Sequence, residues 1–321
     1  MRRFLQVIAT MAVLPFCGFS AAAELIAAPP AAEAGRAAAS PFALSASPAE
    51  LARRAAVQLK SRAALVVRAD NGEVLYRKNV DRDMPIASIT KLMTAMVVLD
   101  AGQSLDERIT VSADDFDRLK RTPSRLAAGT RLTRGEFMQL ALMASENRAA
   151  SVLTRHYPGG RAAAIAAMNR KARELGMTQT RFVDGTGLSA ANRASPVDLV
   201  RLVKAADAYP DIRRYSTASR QVVKVGKRQQ AFGNTNPLVR SPSWSIDLTK
   251  TGFINEAGRC LVMQARIADF PVIFVLMDSV GTKTRLGDAN RVRKWLEAAL
   301  PSRTTETSAL AAPAPLAHSG A

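Results

Sequence analysis

Short apolar runs near both ends of the chain predict β-strands, and longer amphipathic segments between them predict helices. Residues 64–68 and 73–76 are apolar runs that flank Asn71-Gly72. This arrangement indicates a β-hairpin with a type I′ turn, because asparagine and glycine tolerate the positive φ angles of that turn. The further β-like runs, separated by turn residues, are 246–248, 260–267 and 271–277.

The helical segments are bounded by start and stop signals. Ser47 with Glu50 and Thr133 with Glu136 form capping boxes, which satisfy free N–H groups at a helix start. The polar stretch 145–147 interrupts one helical pattern. We therefore expect helices over 47–60, 88–99, 133–143, 148–155, 161–175, 195–207 and 285–300.

Strands near both ends and helices in the middle favour an α+β fold, an α/β sandwich. We expect one antiparallel sheet built from both chain ends, flanked by helices, with an inserted helical lobe. This domain would span residues 47–300. Residues 24–46, rich in alanine, proline and serine, predict a flexible lead-in, and residues 301–321 predict a disordered tail.

Residues 1–23 have the pattern of a cleaved secretory signal. Arg2 and Arg3 precede an apolar segment over residues 4–19, and Ala21-Ala22-Ala23 offers a small-residue cleavage site. A membrane-anchoring helix is the alternative, but the apolar run is short and ends in small residues. Cys17 is a weaker candidate for lipoprotein processing, because bulky residues precede it. We expect an exported, periplasmic protein with no membrane anchor after signal cleavage.

The chain is strongly basic, with a formal net charge of +18 over 321 residues. Such a charge favours an acidic partner, which includes nucleic acid, anionic lipid and anionic polymers. Export argues against nucleic acid. A solvated basic surface without a dedicated partner is the alternative.

Cysteine and histidine are scarce, and this limits the chemistry. Cys17 leaves with the signal, so Cys260 alone remains, which excludes an intramolecular disulfide and a cysteine metal cluster. The two histidines are His156, expected at a helix end, and His318, which lies in the tail. Serine chemistry in this chain therefore needs a base other than histidine. We expect neither a metal nor a cofactor.

Ser88 and Lys91 lie three residues apart where a helix is predicted to begin. They share one face of that helix, and its N-terminus supplies free N–H groups and a positive dipole end. Ser88 is therefore a candidate nucleophile, with Lys91 as its base if burial or a second cation lowers the pKa of the lysine. Taken alone, this spacing favours a capping serine and a solvated lysine.

Two more short motifs carry candidate chemistry. Ser145 is a candidate proton relay, and Asn147 is a candidate to hold Lys91 and a substrate carbonyl; a plain helix end is the alternative. Lys250-Thr251-Gly252 ends a β-like run, where alternation places the lysine and the glycine on one face and the threonine on the other. Glycine there permits close approach of a ligand or another backbone. An exposed lysine on an edge strand is the alternative.

In this order and context, S-x-x-K, S-x-N and K-T-G resemble the motif set of penicillin-binding proteins and serine β-lactamases. The chain is similar to the low-molecular-mass penicillin-binding D-alanyl-D-alanine carboxypeptidases and endopeptidases, and to the endopeptidases above all. The similar segments are 88–95, 142–150, 182–188, 234–236 and 250–260. The resemblance covers residues 45–300 and implies a β-lactamase/transpeptidase-like fold. Glu146 stands where many relatives have aspartate or glycine, which leaves the roles of its neighbours intact.

The resemblance implies acyl transfer on a D-alanyl substrate. Ser88 would attack the D-Ala carbonyl, and Lys91 would act as base, kept neutral partly by the nearby Lys250 cation. Ser145 would pass the proton to the leaving amine, while Asn147 would position the peptide.

The resemblance also implies how substrate is held. The N–H groups of Ser88 and Phe253 would form an oxyanion hole, and Lys250-Thr251-Gly252 would meet the substrate carboxylate. The implied partners are peptidoglycan stem peptides and cross-links, whose carboxylates suit a basic surface. β-Lactam antibiotics would inhibit the enzyme by acylating Ser88 as substrate mimics.

The resemblance leaves several activities to be distinguished. The common carboxypeptidases of the group carry a second β-rich domain and an amphipathic membrane helix, and the stretch after residue 300 has no amphipathic face. We therefore expect endopeptidase action on cross-links, with release of terminal D-Ala as the alternative. A β-lactamase needs a deacylating carboxylate in an E-x-x-L-N loop, a string that the sequence lacks. A non-catalytic penicillin-binding wall protein is disfavoured by the complete set of motifs.

Overall fold

In the computed structural model, which describes residues 57–299, a five-stranded antiparallel sheet separates two hydrophobic cores. The strands are β1 (Ser61–Arg68), β2 (Val74–Lys78), β3 (Met84–Pro85), β4 (Arg108–Thr110), β5 (Arg131–Thr133), β6 (Arg193–Ala194), β7 (Arg220–Val225), β8 (Arg228–Gly233), β9 (Ser245–Ile254), β10 (Gly258–Ile267) and β11 (Phe270–Ser279). The predicted signal (1–23), lead-in (24–46) and tail (301–321) lie outside the described residues.

The helices lie mostly between the two groups of strands that form the sheet. They are α1 (Thr90–Asp100), α2 (Arg134–Met143), α3 (Asn147–Arg155), α4 (Gly160–Glu174), α5 (Pro196–Asp207), α6 (Pro210–Thr217) and α7 (Thr284–Ala299). No described helix is both long and apolar enough to cross a membrane.

The sheet has the strand order β2-β1-β11-β10-β9, so both ends of the described chain contribute to it, as predicted. Its strands are buried on both faces: Leu65 and Val67 of β1 face one core, and Ala64 and Val66 face the other. The helical lobe covers the first face, and α7 covers the second. β9 is an edge strand, which leaves one side of its backbone available to a peptide.

Helix α1 lies inside the first core and has almost no solvent-facing side. All of its residues from Thr90 to Val98 are buried, which is the expected location for a helix that is apolar on every face. Lys91 is 1% exposed within this apolar surrounding. The fold therefore removes a lysine from water, and its charged form is costly there.

Local signals in the sequence predicted several element boundaries correctly. Thr133 and Glu136 form the expected capping box, and Ser195 accepts from Asp198 N as the cap of α5. The predicted type I′ turn is wrong: Gly72 has a positive φ but Asn71 does not, and Gly72 N donates to Arg68 O across a longer loop.

Two further differences concern segments with weak patterns. Residues 57–60 are not helical, because Lys60 N and Ser61 N donate to the Asp288 carboxylate of α7 as the chain enters β1; the rest of the predicted helix 47–60 lies outside the described residues. Helix α6 and the β7–β8 hairpin were not predicted.

Candidate active site

Ser88 lies in a 3-10 turn, Ala87–Ile89, that leads directly into α1. Ala87 has a φ of 47°, in the left-handed region that a residue with a side chain rarely adopts. Such strain persists only where surrounding structure imposes it, and it concentrates at functional sites. The turn thus holds the candidate nucleophile, which is 9% exposed, at the start of a buried helix.

Lys91 contacts Ser88 from the next turn of the chain. Lys91 Nζ lies 2.7 Å from Ser88 Oγ, 2.8 Å from Asn147 Oδ1 and 2.5 Å from the Thr186 carbonyl oxygen. The two carbonyl oxygens can only accept hydrogen bonds. A neutral Lys91 amine that donates to both keeps its lone pair for the Ser88 hydroxyl proton.

Burial is the main reason that Lys91 can be neutral. It lowers the pKa of Lys91 from 10.5 to about 7, although the Asp184 and Glu146 carboxylates act in the opposite direction. The sequence offered burial or a second cation as the cause, and of these it is burial that lowers the pKa of Lys91. A base with a pKa near neutrality suits proton transfer at physiological pH.

Ser145 joins α2 to α3 in a strained conformation. Its φ is 57°, and its Oγ accepts from Lys250 Nζ at 2.9 Å. Helix α3 begins at Asn147, and the Glu146 side chain caps it by accepting from Arg148 N. The interruption predicted between two helical segments is therefore the feature that turns Ser145 toward Lys250 and Asn147 toward Lys91.

Lys250 is buried and not exposed on its edge strand. It is 1% exposed and also donates to the Thr251 carbonyl oxygen at 2.9 Å. Desolvation, followed by the charges of Lys91 and Arg285, holds the pKa of Lys250 well below its ordinary value. A carboxylate bound beside Lys250 would raise this pKa again, so the protonated lysine and an anionic ligand would stabilise each other.

β9 places its glycine against the nucleophile turn. A Cβ on Gly252 would lie 2.9 Å from the Ile86 carbonyl oxygen, closer than real Cβ contacts, and 3.3 Å from Ser88 N, which is a tight contact. The next residue, Phe253, is 50% exposed, and Arg259 stacks on its ring. The edge strand thus comes close to the Ser88 backbone, which is the kind of approach that a glycine in a strand permits.

Thr251 has a side-chain partner that the sequence did not predict. Its Oγ1 lies 2.6 Å from Thr235 Oγ1, and Thr235 N donates to the Met143 carbonyl oxygen at the end of α2. This contact ties the edge strand to the helical lobe. The segment 234–236 resembles its counterpart in known proteins, but no residue pattern in it indicates this contact.

Two more unpredicted residues surround Lys91. Thr186 presents its carbonyl to Lys91 from a turn whose N–H groups, including those of Thr186 and Gly187, donate to the Asp184 carboxylate. Thr122 accepts from Asn147 Nδ2 at 3.0 Å. The turn-rich stretch 184–187 signals a loop in the sequence, but nothing there assigns a carbonyl to a lysine.

A groove of about 590 Å³ opens beside the catalytic candidates. Asn147 and Thr186 line its inner side, and Phe116 and Leu119 line its outer side. Phe116 is 39% exposed and Leu119 is 64% exposed, so the outer wall offers apolar contacts to a ligand. Within residues 57–299 no group of His, Cys, Asp and Glu side chains is arranged to hold a metal ion.

Comparisons with known proteins agree with this geometry. A family model described as "Peptidase_S11: D-alanyl-D-alanine carboxypeptidase" matches residues 49–281. A D-alanyl-D-alanine endopeptidase of Pseudomonas aeruginosa is 46% identical over 242 residues, which are 75% of this chain and 78% of that protein. The D-alanyl-D-alanine endopeptidase of Escherichia coli K12 is 45% identical with the same coverage.

Solved structures share the architecture. The Streptomyces K15 DD-transpeptidase matches with a TM-score of 0.70 and 28% identity, covering 76% of this chain and 99% of that one. Penicillin-binding protein D2 of Listeria monocytogenes, solved with cefotaxime bound, matches with a TM-score of 0.64 and 29% identity, covering 74% and 98%. The predicted resemblance and the predicted fold class are confirmed.

Proposed function

The chain belongs to the Peptidase S11 family of D-alanyl-D-alanine carboxypeptidases, and from this premise we propose that it is a serine D-alanyl-D-alanine endopeptidase acting on peptidoglycan cross-links. Ser88 would form the acyl-enzyme. The observation that carries the proposal is the contact between Ser88 Oγ and Lys91 Nζ at 2.7 Å. A buried lysine with a pKa of about 7 is a competent base for a serine hydroxyl.

Acylation begins when Ser88 Oγ bonds to the D-Ala carbonyl carbon and its proton passes to Lys91 Nζ. The tetrahedral intermediate then collapses, the C–N bond breaks, and the leaving amine takes a proton. Ser145, hydrogen-bonded to Lys250, is the group we assign to that transfer. Water hydrolyses the resulting ester by the reverse sequence of proton transfers and restores Ser88.

The N–H groups of Ser88 and Phe253 are our candidates for the oxyanion hole. Gly252 supports this assignment, because the lack of a side chain lets β9 approach the Ser88 backbone. Loss of one such donor typically lowers the rate on the order of 100-fold.

We assign recognition of the carboxylate beside the leaving amine to Lys250 and Thr251. Arg285 supports this assignment: it is 8% exposed, and its charge reaches Lys250. The adjoining groove beside Asn147 offers room for a peptide branch. A cross-linked substrate has two branches, and a carboxypeptidase substrate has one.

The choice of endopeptidase over carboxypeptidase is supported by the degree of similarity. Relatives named as endopeptidases are 40–46% identical, whereas relatives named as carboxypeptidases are 26–30% identical. Removal of terminal D-Ala is the second candidate activity, because those carboxypeptidases share the family. We also propose export to the periplasm, from the signal pattern of residues 1–23, and acylation of Ser88 by β-lactams.

Digestion of purified cross-linked muropeptide dimers tests the activity. The proposal expects conversion of dimers to monomers by the wild-type enzyme and no conversion by Ser88→Ala. Release of free D-Ala from pentapeptides with intact dimers would instead assign the enzyme as a carboxypeptidase.

A further inference from the structure

The Asn147 side chain has two different hydrogen-bonding ends, and each meets one partner. Its Oδ1 accepts from Lys91 Nζ at 2.8 Å, and its Nδ2 donates to Thr122 Oγ1 at 3.0 Å. A half-turn of the amide would exchange these ends and place N–H donors against the lysine. The Thr122 contact therefore bears on which end faces the catalytic base.

Asp117 decides the direction of the Thr122 hydrogen bond. Asp117 Oδ2 accepts from Thr122 N at 2.9 Å and from Thr122 Oγ1 at 2.8 Å. Burial raises the pKa of Asp117, but the donors of Lys120, Thr122 and Leu119 outweigh it, and the pKa lies below its ordinary value. The ionised carboxylate accepts only, so it takes the single Thr122 hydroxyl proton. The Thr122 oxygen can then only accept from Asn147.

We propose that Thr122 is a positioning residue for acyl transfer: its hydroxyl, oriented by Asp117, holds the Asn147 amide with Oδ1 toward Lys91 Nζ. This inference rests on the proposed function, because it assigns Thr122 a part in activating Ser88. With the amide held this way, the neutral Lys91 amine donates its two N–H groups to Asn147 Oδ1 and to the Thr186 carbonyl oxygen. The lone pair of Lys91 is then directed to the Ser88 proton.

Loss of the Thr122 hydroxyl has two consequences with defined signs. The freed amide can turn and donate an N–H to the Lys91 lone pair, which withdraws that lone pair from Ser88. The same turn removes an oxygen that stabilises the ammonium form, so the pKa of Lys91 falls further. The maximal acylation rate, reached at high pH, therefore falls. The pH range over which the rate rises moves to lower pH.

The test measures the acylation rate constant with a fluorescent penicillin between pH 5 and pH 9. Thr122→Val removes the hydroxyl and keeps the shape of the side chain, and Thr122→Ser restores the hydroxyl. Thr110→Val is the matched control, an identical exchange at an exposed strand position. We expect a plateau at least about tenfold lower in T122V, the scale of a disturbed general base. We expect T122S to recover most of the wild-type acylation rate and T110V to have the wild-type rate at every pH.

Active-site titration with penicillin counts the folded enzyme in each sample. Should T122V fail to fold, Thr122→Ala replaces it, because alanine also lacks the hydroxyl that accepts from Asn147 Nδ2; the same two changes are expected. The inference is overturned if the folded variant has the same maximal acylation rate as wild type and the same inflection pH. Equal losses in T122S and T122V also overturn it, because packing of the methyl group would then be responsible. A wild-type enzyme that takes no penicillin refutes the proposed function instead.

Discussion

Gly187 packs directly against the carbonyl group of Ala87, the residue that precedes the candidate nucleophile. A Cβ on Gly187 would lie 2.0 Å from that carbonyl oxygen and 2.9 Å from Ser88 N. Gly187 also has a φ of 81°, and its N–H donates to Asp184 Oδ1. The turn that presents Thr186 to Lys91 is thus in backbone contact with the turn that presents Ser88.

Gly187→Ala should therefore displace Ser88 as well as strain the backbone. Gly226→Ala is the control, because Gly226 has a φ of 59° but a Cβ added there would have nothing within 4 Å. Left-handed strain alone costs about 1–2 kcal/mol, and we expect that loss of stability from G226A with normal acylation. We expect a larger loss of Tm from G187A and acylation slowed by more than about tenfold. Equal behaviour of the two variants in melting and penicillin labelling would contradict the contact.

The pH dependence of acylation should report the ionisation of Lys91. Because burial lowers its pKa to about 7, the rate should rise with pH below 7 and level off above it. The ammonium has no lone pair, so protonation removes the base. Lys91→Arg should lose on the order of 100-fold or more at every pH, because a guanidinium stays charged. A pH-independent rate for wild type between pH 5 and pH 9 would exclude Lys91 as the base.

Glu146 should tune this base from a distance. Its carboxylate raises the pKa of Lys91, second only to Asp184, so Glu146→Gln should move the acid limb of the profile to lower pH. Glutamine keeps an oxygen that can cap α3, where Glu146 accepts from Arg148 N. Asp114→Asn removes an exposed carboxylate and should leave the profile unchanged. A shift toward higher pH in E146Q would show that the sign is wrong.

Two variants of Ser145 should distinguish its backbone strain, which affects stability, from its hydroxyl, which affects turnover. Ser145→Ala and Ser145→Gly both remove the hydroxyl that accepts from Lys250 Nζ, so both should lose about 100-fold in turnover. At a φ of 57° glycine is unstrained and alanine is strained, so S145G should be more stable than S145A by about 1 kcal/mol. Denaturant unfolding measures the difference. A fully active S145G would remove Ser145 from the proton path.

The sequence indicated the polar side chains of the candidate site only when three motifs were taken together in order and compared with a known family. Taken alone, Ser88 and Lys91 favoured a helix cap and a solvated lysine, and Ser145 with Asn147 favoured a plain helix end. The burial of Lys250 on an edge strand required tertiary structure, since edge lysines are ordinarily solvated.

Other parts of the site have no residue-type signal. The Thr186 carbonyl binds Lys91 through its backbone, which any residue possesses. Thr122 and Thr235 act through contacts that join segments 25 and 16 residues apart in the chain. In the fold, helix α6 and the β7–β8 hairpin were missed because their apolar faces are short and half-exposed.

Mass spectrometry of the enzyme after reaction with penicillin shows whether Ser88 forms the acyl-enzyme. Proteolysis of the acylated protein should yield one modified peptide that contains Ser88, with the penicilloyl mass on that residue and none after S88A substitution. An adduct on Ser145 or another residue, or no adduct in a folded wild-type protein, would show that Ser88 is not the nucleophile.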